Sequence, residues 1–348
     1  GQEIIETSTF RAPASEGHET DEHGRILRDN QFGTNEEDAV RRDFTLNALY
    51  YDPVREEVID YTRGVADLKK RVVRIIGDPE TRYREDPVRM LRAVRFAAKL
   101  NATIDPATLT PIKSMAHLIS NVPSSRLVDE VIKLLTCGHA IDCLKQLEAL
   151  GLHQHLLPFI DTLFNNPDHF RFLELALDRT DARVRTGKTI SPGFLFAALL
   201  WKLVKIQWDT NQKEGLPRVQ ALVEAADTVI NNQAANLAIQ RRFQADMREI
   251  WFMQPRFERA TPRTIWRLLE HPRLRAAVDF LQLRAEAHEV DSVDAQWWMD
   301  LANADHDKRT AMIDERQREK RGERPGAGKP GNRRRRRPRR KAPPEQQD

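Results

Sequence analysis

Residues 84–96, REDPVRMLRAVRF, bring a carboxylate pair and four arginines to the opening of one helix. Asp86 stands where an N-cap belongs, and Pro87 falls at the first helical position, where its missing N–H costs nothing. Arg89, Arg92 and Arg95 follow at three-residue spacing, so they rise from neighbouring positions on one side of the helix. A helix N-terminus carries a partial positive charge, and arginines above it suit a polyphosphate or a nucleotide. Asp86 and Arg89 supply an acceptor and a forked donor, the pairing needed to read the edge of a base. The same residues also read as an ordinary Asp-Pro helix opening with arginines on a solvated face.

A second cluster, RRDFTLNAL at 41–49, reads as part of a helix with Glu36, Glu37 and Asp38 in its first turn. Asn47 follows Asp43 by four residues, on the same helical face, while Phe44 and the 46–49 stretch supply a buried side. Arg41, Arg42 and Asp43 are consecutive. Asp43 could orient an arginine or meet a ribose hydroxyl, and Asn47 could bind a phosphate or a sugar. An i,i+4 hydrogen bond on a surface helix explains the pair equally well. Glu6 lies on a strand-like run. Strand carboxylates held together build two-metal phosphoryl-transfer sites, with the ions about 3.5–4 Å apart; alone, Glu6 reads as solvated edge. His153 and His155 are two apart, and the one His-Asp dipeptide, His306-Asp307, is remote, which argues against a metal-dependent phosphohydrolase. Trp297 and Trp298 read as a packing anchor, with base stacking as the other use. Arg333, Arg334, Arg335, Arg336 and Arg337, then Arg339, Arg340 and Lys341, form a block that binds polyanions by counterion release. A solvated tail is the plainer reading; the charge density favours contact with RNA or DNA.

The elements that must carry these residues change character along the chain. Residues 3–11 look like a strand, and 12–34 like a long polar surface loop. Short strands are expected at 57–61 and 72–76. After residue 87 helical periodicity takes over, over 87–100, 124–136, 140–150, 170–177, 192–206, 217–231, 238–253, 262–270 and 272–288. The fold class is therefore α+β: a small mixed part, then an all-helical body. Beyond about residue 305 order should end, because too few apolar side chains remain to offset conformational entropy.

With 348 residues the chain exceeds one ordinary core. No run approaches the roughly 18 apolar residues of a membrane span, and no charged-then-apolar leader opens the sequence. Cys137 and Cys143 are its two cysteines and read as buried thiols of a reducing compartment. The net charge of +4 hides an asymmetry: Arg316 to Lys341 holds 14 basic and 2 acidic residues, leaving 42 basic against 50 acidic elsewhere. The chain opens on Gly1 and directly on a strand-like run, which reads as a cut end.

EIIETSTFR, RRDFTLNALYYDP, DYTRGVADLKKRVVRIIG and YREDPVRMLRAVRFAAKL follow one another in a known order. They resemble the motifs of the bacterial poly(A) polymerase and CCA-adding tRNA nucleotidyltransferase family, the class II branch of the polymerase-beta-like nucleotidyltransferases. SSRLVDEVIKLL is similar to the next motif. The insertion at 12–34, the arginine-rich tail and RTIWRLLEHPRLRAAVDFLQLRAEA resemble the poly(A) polymerase branch.

The resemblance implies a partial head at 1–80, a helical nucleotide-binding neck at 81–150, a helical RNA-binding body at 151–304 and a disordered arginine-rich tail at 305–348. It implies ATP as substrate and a two-Mg²⁺ centre. Asp86 and Arg89 match the base-reading pair, Arg92 and Arg95 match positions near the nucleotide, and Arg42, Asp43 and Asn47 match the ribose and phosphate motif. Glu6 matches the third acid of the catalytic strand cluster, with Asp43 beside it in the reaction. The family's Gly-Gly turn and paired aspartates would precede Gly1, so an N-terminally truncated and inactive chain is expected. The implied reaction adds AMP from ATP to RNA 3′ ends in the cytoplasm and feeds RNA decay, with decay proteins as partners. A CCA-adding enzyme and a non-catalytic RNA-binding protein are the alternatives.

Overall fold

The structure is a computed structural model and describes residues 7–12, 32–320 and 322. Glu6, most of the insertion and the block from Arg333 to Lys341 lie outside the described residues. Within 7–12 the expected strand is reduced to one antiparallel bridge, Arg11 to Phe32.

Helix α1 (Asn35–Arg41) opens on a capping box: Thr34 Oγ1 accepts from Glu37 N–H at 3.2 Å, and the Glu37 carboxylate accepts from Thr34 N–H at 2.6 Å. The helix expected through 41–49 stops at Arg41. Asp43 causes this locally, because its Oδ1 takes the Phe44 N–H at 2.8 Å and the Asn47 amide at 2.9 Å. Phe44 is fully buried in an extended conformation and bridges Ile75, and one 3₁₀ turn follows at Thr45–Asn47. The aromatic run after it becomes β1 (Leu49–Asp52), paired antiparallel with β2 (Glu57–Asp60) in the register Leu49 to Asp60.

Helix α2 (Gly64–Lys70) packs on the 3₁₀ turn. Strand β3 (Val72–Val73) leads to α3 (Pro79–Glu85) and α4 (Val88–Leu100), and the crossover returns to β4 (Thr103–Ile104), parallel to β3. The β4 strand falls where only helices were expected.

Helices then follow without interruption by strands: α5 (Pro106–Leu109), α6 (Ile112–Met115), α7 (Ser124–Leu135), α8 (Ala140–Ala149), α9 (Ile160–Phe164) and α10 (Pro167–Arg185). After these come α11 (Pro192–Lys213), α12 (Arg218–Ala234), α13 (Arg241–Glu258), α14 (Pro262–Leu269), α15 (Leu274–Glu286) and α16 (Ser292–Asn303). All nine periodic segments are helices; α10 and α11 run well past the expected ends. Helix α11 is buried almost all round from Leu195 to Trp201, as a helix enclosed by α10, α12 and α13 must be. Trp201, Trp208, Phe172 and Phe280 meet there edge-on or tilted at 5.2–6.5 Å. Trp298 is buried and anchors α16, its ring 4.7 Å from Phe257 and its Nε1–H donated to the Phe257 carbonyl. Trp297 stands edge-on to it.

The chain divides into two compact units after Ala302. In the second, α17 (His306–Lys320) carries order past residue 305, where it was expected to end. Its sequence is rich in Glu, Lys, Arg and Gln, which form helix by propensity and need little burial.

Candidate functional site: a charged cleft at the start of α4

A cleft of about 350 Å³ lies between the turn after α1, the start of α4 and one face of α7. Asp43 comes from the turn; Asp86, Val88, Arg89 and Arg92 come from the α3–α4 junction and α4. Helix α7 adds Arg126, Asp129, Glu130 and Lys133.

Asp86 closes α3 with extended backbone, φ −150° and ψ 96°. Its Oδ1 accepts the Val88 N–H at 3.4 Å, but Asp86 is not the N-cap expected of it: α4 begins at Val88, Pro87 takes the cap position, and Asp86 instead ends α3. Its Oδ2 holds Arg126 Nη2 at 2.9 Å. Arg89, one turn on, lines the same cleft; its backbone N–H donates to the Asp86 carbonyl at 3.1 Å, while its guanidinium is engaged elsewhere than on the Asp86 carboxylate. Its Nη1 binds the Glu85 carboxylate at 2.7 Å and the Arg82 carbonyl at 2.7 Å. Each member of the expected base-reading pair is thus steadied by a third group. A carboxylate offers about four acceptor positions and a guanidinium five N–H, so both retain capacity for a ligand.

Arg92 Nε reaches Asp43 Oδ2 at 2.5 Å, tying α4 to the turn forty-nine residues earlier. Asn47 and Asp43 do hydrogen-bond, but across the 3₁₀ turn and not along a helix. Arg82 reinforces the tie: its Nη2 donates to the carbonyls of Arg41 and Arg42 at 2.7 and 2.6 Å. Burial, and then the Arg89 charge, holds the Arg82 guanidinium below its ordinary value.

Three of the expected nucleotide ligands, Arg42, Asn47 and Arg95, do not line the cleft; Asn47 reaches it only through Asp43. Arg42 turns back to Asp38, with Nε and Nη2 at 3.0 and 2.8 Å from Oδ2. Asp38 is 4% exposed and also accepts from the Tyr50 hydroxyl, so a buried carboxylate takes the arginine that the sequence assigned to a phosphate. Burial pushes the Asp38 carboxyl up, but the Tyr50 and Arg42 hydrogen bonds outweigh it and leave it below its ordinary value. Arg95 lies behind the cleft wall, with Nε 2.7 Å from Glu130 and its guanidinium over the Phe96 ring at 4.4 Å. It positions Glu130 and does not face the opening.

The α7 residues escaped the sequence reading. Arg126, Asp129, Glu130 and Lys133 stand at i, i+3, i+4 and i+7, one continuous polar face opposite the apolar stripe of SSRLVDEVIKLL. That pattern is legible; that the face meets α4 is not.

These residues do not fit a metal centre. Each acid already faces donors or cations: Asp43 the Phe44 N–H, Asn47 and Arg92, Asp86 the Val88 N–H and Arg126, and Glu130 Arg95 and Lys133. No group of three or more His, Cys, Asp or Glu side chains is placed to share a cation among the described residues. His153 is buried with Nε2 2.9 Å from Asp161, and His155 Nδ1 meets Ser120 Oγ at 3.2 Å.

Three family models match the chain. They are described as "Poly A polymerase head domain" over residues 1–74, "Probable RNA and SrmB- binding site of polymerase A" over 101–164, and "Polymerase A arginine-rich C-terminus" over 214–341. Poly(A) polymerase I of Salmonella typhi is 42% identical over 328 residues, covering 90% of this chain and 70% of its own length. A CCA-adding enzyme of Levilactobacillus brevis is 46% identical over 127 residues, 36% of this chain and 31% of its own. The fold resembles a solved tRNA-processing enzyme with CTP at a TM-score of 0.52 and 19% identity, covering 82% of this chain and 75% of the other.

Proposed function

Because this chain belongs to the bacterial poly(A) polymerase family, we infer that its charged cleft is the nucleotide site of a template-independent adenylyltransferase. The enzyme adds AMP from ATP to RNA 3′ ends: the terminal hydroxyl attacks the α-phosphorus, the bond to the β-phosphate oxygen breaks, and pyrophosphate leaves. The observation that carries the reading is that Asp86 and Arg89, one helical turn apart, line one cleft with Asp43 and Arg92.

In this reading Asp86 accepts from the adenine exocyclic amine while Arg126, 2.9 Å from its Oδ2, holds the carboxylate in place. Arg89 donates to a ring nitrogen, its plane fixed by Glu85. Asp43, held by Asn47 and Arg92, takes a ribose hydroxyl, and Arg126 and Lys133 supply positive charge for the phosphates. Arg42 and Arg95 act through Asp38 and Glu130. Magnesium enters the reading only through Glu6, outside the described residues, so no step is assigned to it here. The segment 101–164 binds RNA, as its family model's description suggests, and proteins of RNA decay and a cytoplasmic location complete the proposal. No helix among the described residues is long and apolar enough to cross a membrane.

Equilibrium titration of the chain with ATP, CTP and GTP tests this. Asp86→Ala and Arg89→Lys should each weaken ATP binding about tenfold or more, the ~1–3 kcal/mol of a base-edge contact. CTP bound as well as ATP would favour a CCA-adding site, the reading that the lactobacillar similarity keeps open. Unchanged ATP affinity in both variants would leave a non-catalytic RNA-binding protein.

A further inference from the structure

Cys137 follows the last turn of α7 and Cys143 lies inside α8, and their sulfurs approach to 3.5 Å. Both are free thiols. The contact is unequal. Cys143 is fully buried, whereas Cys137 is only partly buried; the sequence suggests two buried thiols. The loop between them is held from α10: the Asp181 carboxylate accepts the Ala140 N–H at 3.0 Å, and Arg185 Nη1 donates to the Gly138 carbonyl at 3.2 Å. Gly138 turns the chain back with φ +91°, a conformation that favours glycine.

We propose that Cys137 and Cys143 are a peroxide-oxidisable dithiol, with Cys137 the attacking sulfur and Cys143 the resolving one, closing a reversible intramolecular disulfide between the end of α7 and α8. The asymmetry supports these roles. The hydrogen bond from Cys143 holds the Cys137 thiol below its ordinary value against the opposing effect of burial, and the His139 backbone N–H adds to it. The same hydrogen bond, then burial, pushes Cys143 up, which fits Cys137, the more exposed of the two, as the attacking sulfur. Cys137 thiolate attacks one oxygen of hydrogen peroxide, the O–O bond breaks, and hydroxide leaves to take up the proton Cys137 had released. The product is Cys137 sulfenic acid. Cys143 sulfur then attacks the Cys137 sulfur, the S–O bond breaks, and the second hydroxide departs with the Cys143 proton as water. Two thiols and one peroxide become one disulfide and two waters. Because the sulfurs already touch, the second step needs only side-chain rotation and small loop movement, so over-oxidation of Cys137 is outrun.

The test is mass spectrometry and thiol titration of the full chain after a small excess of hydrogen peroxide. Both thiols should be lost, the monomer mass should fall by two hydrogens, and dithiothreitol should restore it. In Cys143→Ser, Cys137 should gain one oxygen and be trapped by dimedone. In Cys137→Ser, Cys143 should stay reduced under the same dose. Survival of both thiols in the unsubstituted chain, oxygen added to Cys137 while Cys143 remains free, or a disulfide joining two chains would each overturn the proposal.

Discussion

Glu130 shows how the cleft is held at the scale of single side chains. It is 3% exposed and sits between Arg95 at 2.7 Å and Lys133 at 3.6 Å. Glu130→Ala would leave Arg95 buried without its partner, and should cost about 3–5 kcal/mol in urea unfolding, as breaking a buried pair does. Arg42→Ala strips a hydrogen-bond partner from buried Asp38, so it should lower stability by roughly 1–3 kcal/mol while changing ATP affinity less than Asp86→Ala does. Equal losses of ATP binding in the two variants would return Arg42 to the phosphates. The sequence put Arg89, Arg92 and Arg95 on one side of a helix because helix spacing is a local property, but only Arg89 and Arg92 line the cleft; Arg95 goes to Glu130, which local spacing could not show. Arg42, matched to the ribose and phosphate motif by the resemblance, instead pairs with Asp38, which the Tyr50 hydroxyl and the Arg11 N–H also hold, contacts that the local pattern does not bring near.

Among the elements, the turn before α2 concentrates the constraints. A Cβ on Gly64 would sit 2.2 Å from the Thr45 carbonyl oxygen, a backbone atom that cannot step aside. Gly64→Ala should therefore destabilise by about 1–3 kcal/mol, with α2 displaced from the 3₁₀ turn in hydrogen exchange. Asp60 organises the same turn. Burial raises its carboxyl, but the N–H groups of Val65, Gly64 and Thr62 prevail and set it below the ordinary 3.8. A depressed folded-state value stabilises the fold above 3.8, and that stability is lost as pH falls through the lower value. The difference in unfolding midpoint between the chain and Asp60→Asn should thus be full near neutrality and shrink on acidification below 3.8; a gap that stays constant would refute it. Helices were legible here because nine of them carry an apolar stripe. Strand β1 was not, since Leu49 closes the RRDFTLNAL stretch that reads as helix and the break at Asp43 comes before it, and β4 is too short to show any period. Helix α17 was missed for the opposite reason: burial was the criterion, and propensity and side-chain pairing sufficed.

At the scale of the whole molecule, charge is partitioned. With 14 basic residues between Arg316 and Lys341 and an excess of acid elsewhere, affinity for RNA should rest on that stretch and fall steeply with salt. Removing residues 323–348 should flatten the slope of log affinity against log salt for a labelled oligoadenylate and leave ATP binding unchanged; an unaltered slope would assign the RNA contact to the helices. The cleft itself stands apart from this, because four acids and four bases face one another across it and its field is set by neighbours instead of net charge. The crossing from Arg92 to Asp43, braced by Arg82 on the carbonyls of Arg41 and Arg42, has one more consequence. It makes the opening behave like a calliper locked at a fixed gauge. If the cleft takes a nucleotide as proposed, it should sort molecules by their dimensions before their charge, since a wrongly sized base would lose contacts that the jaws cannot close to restore.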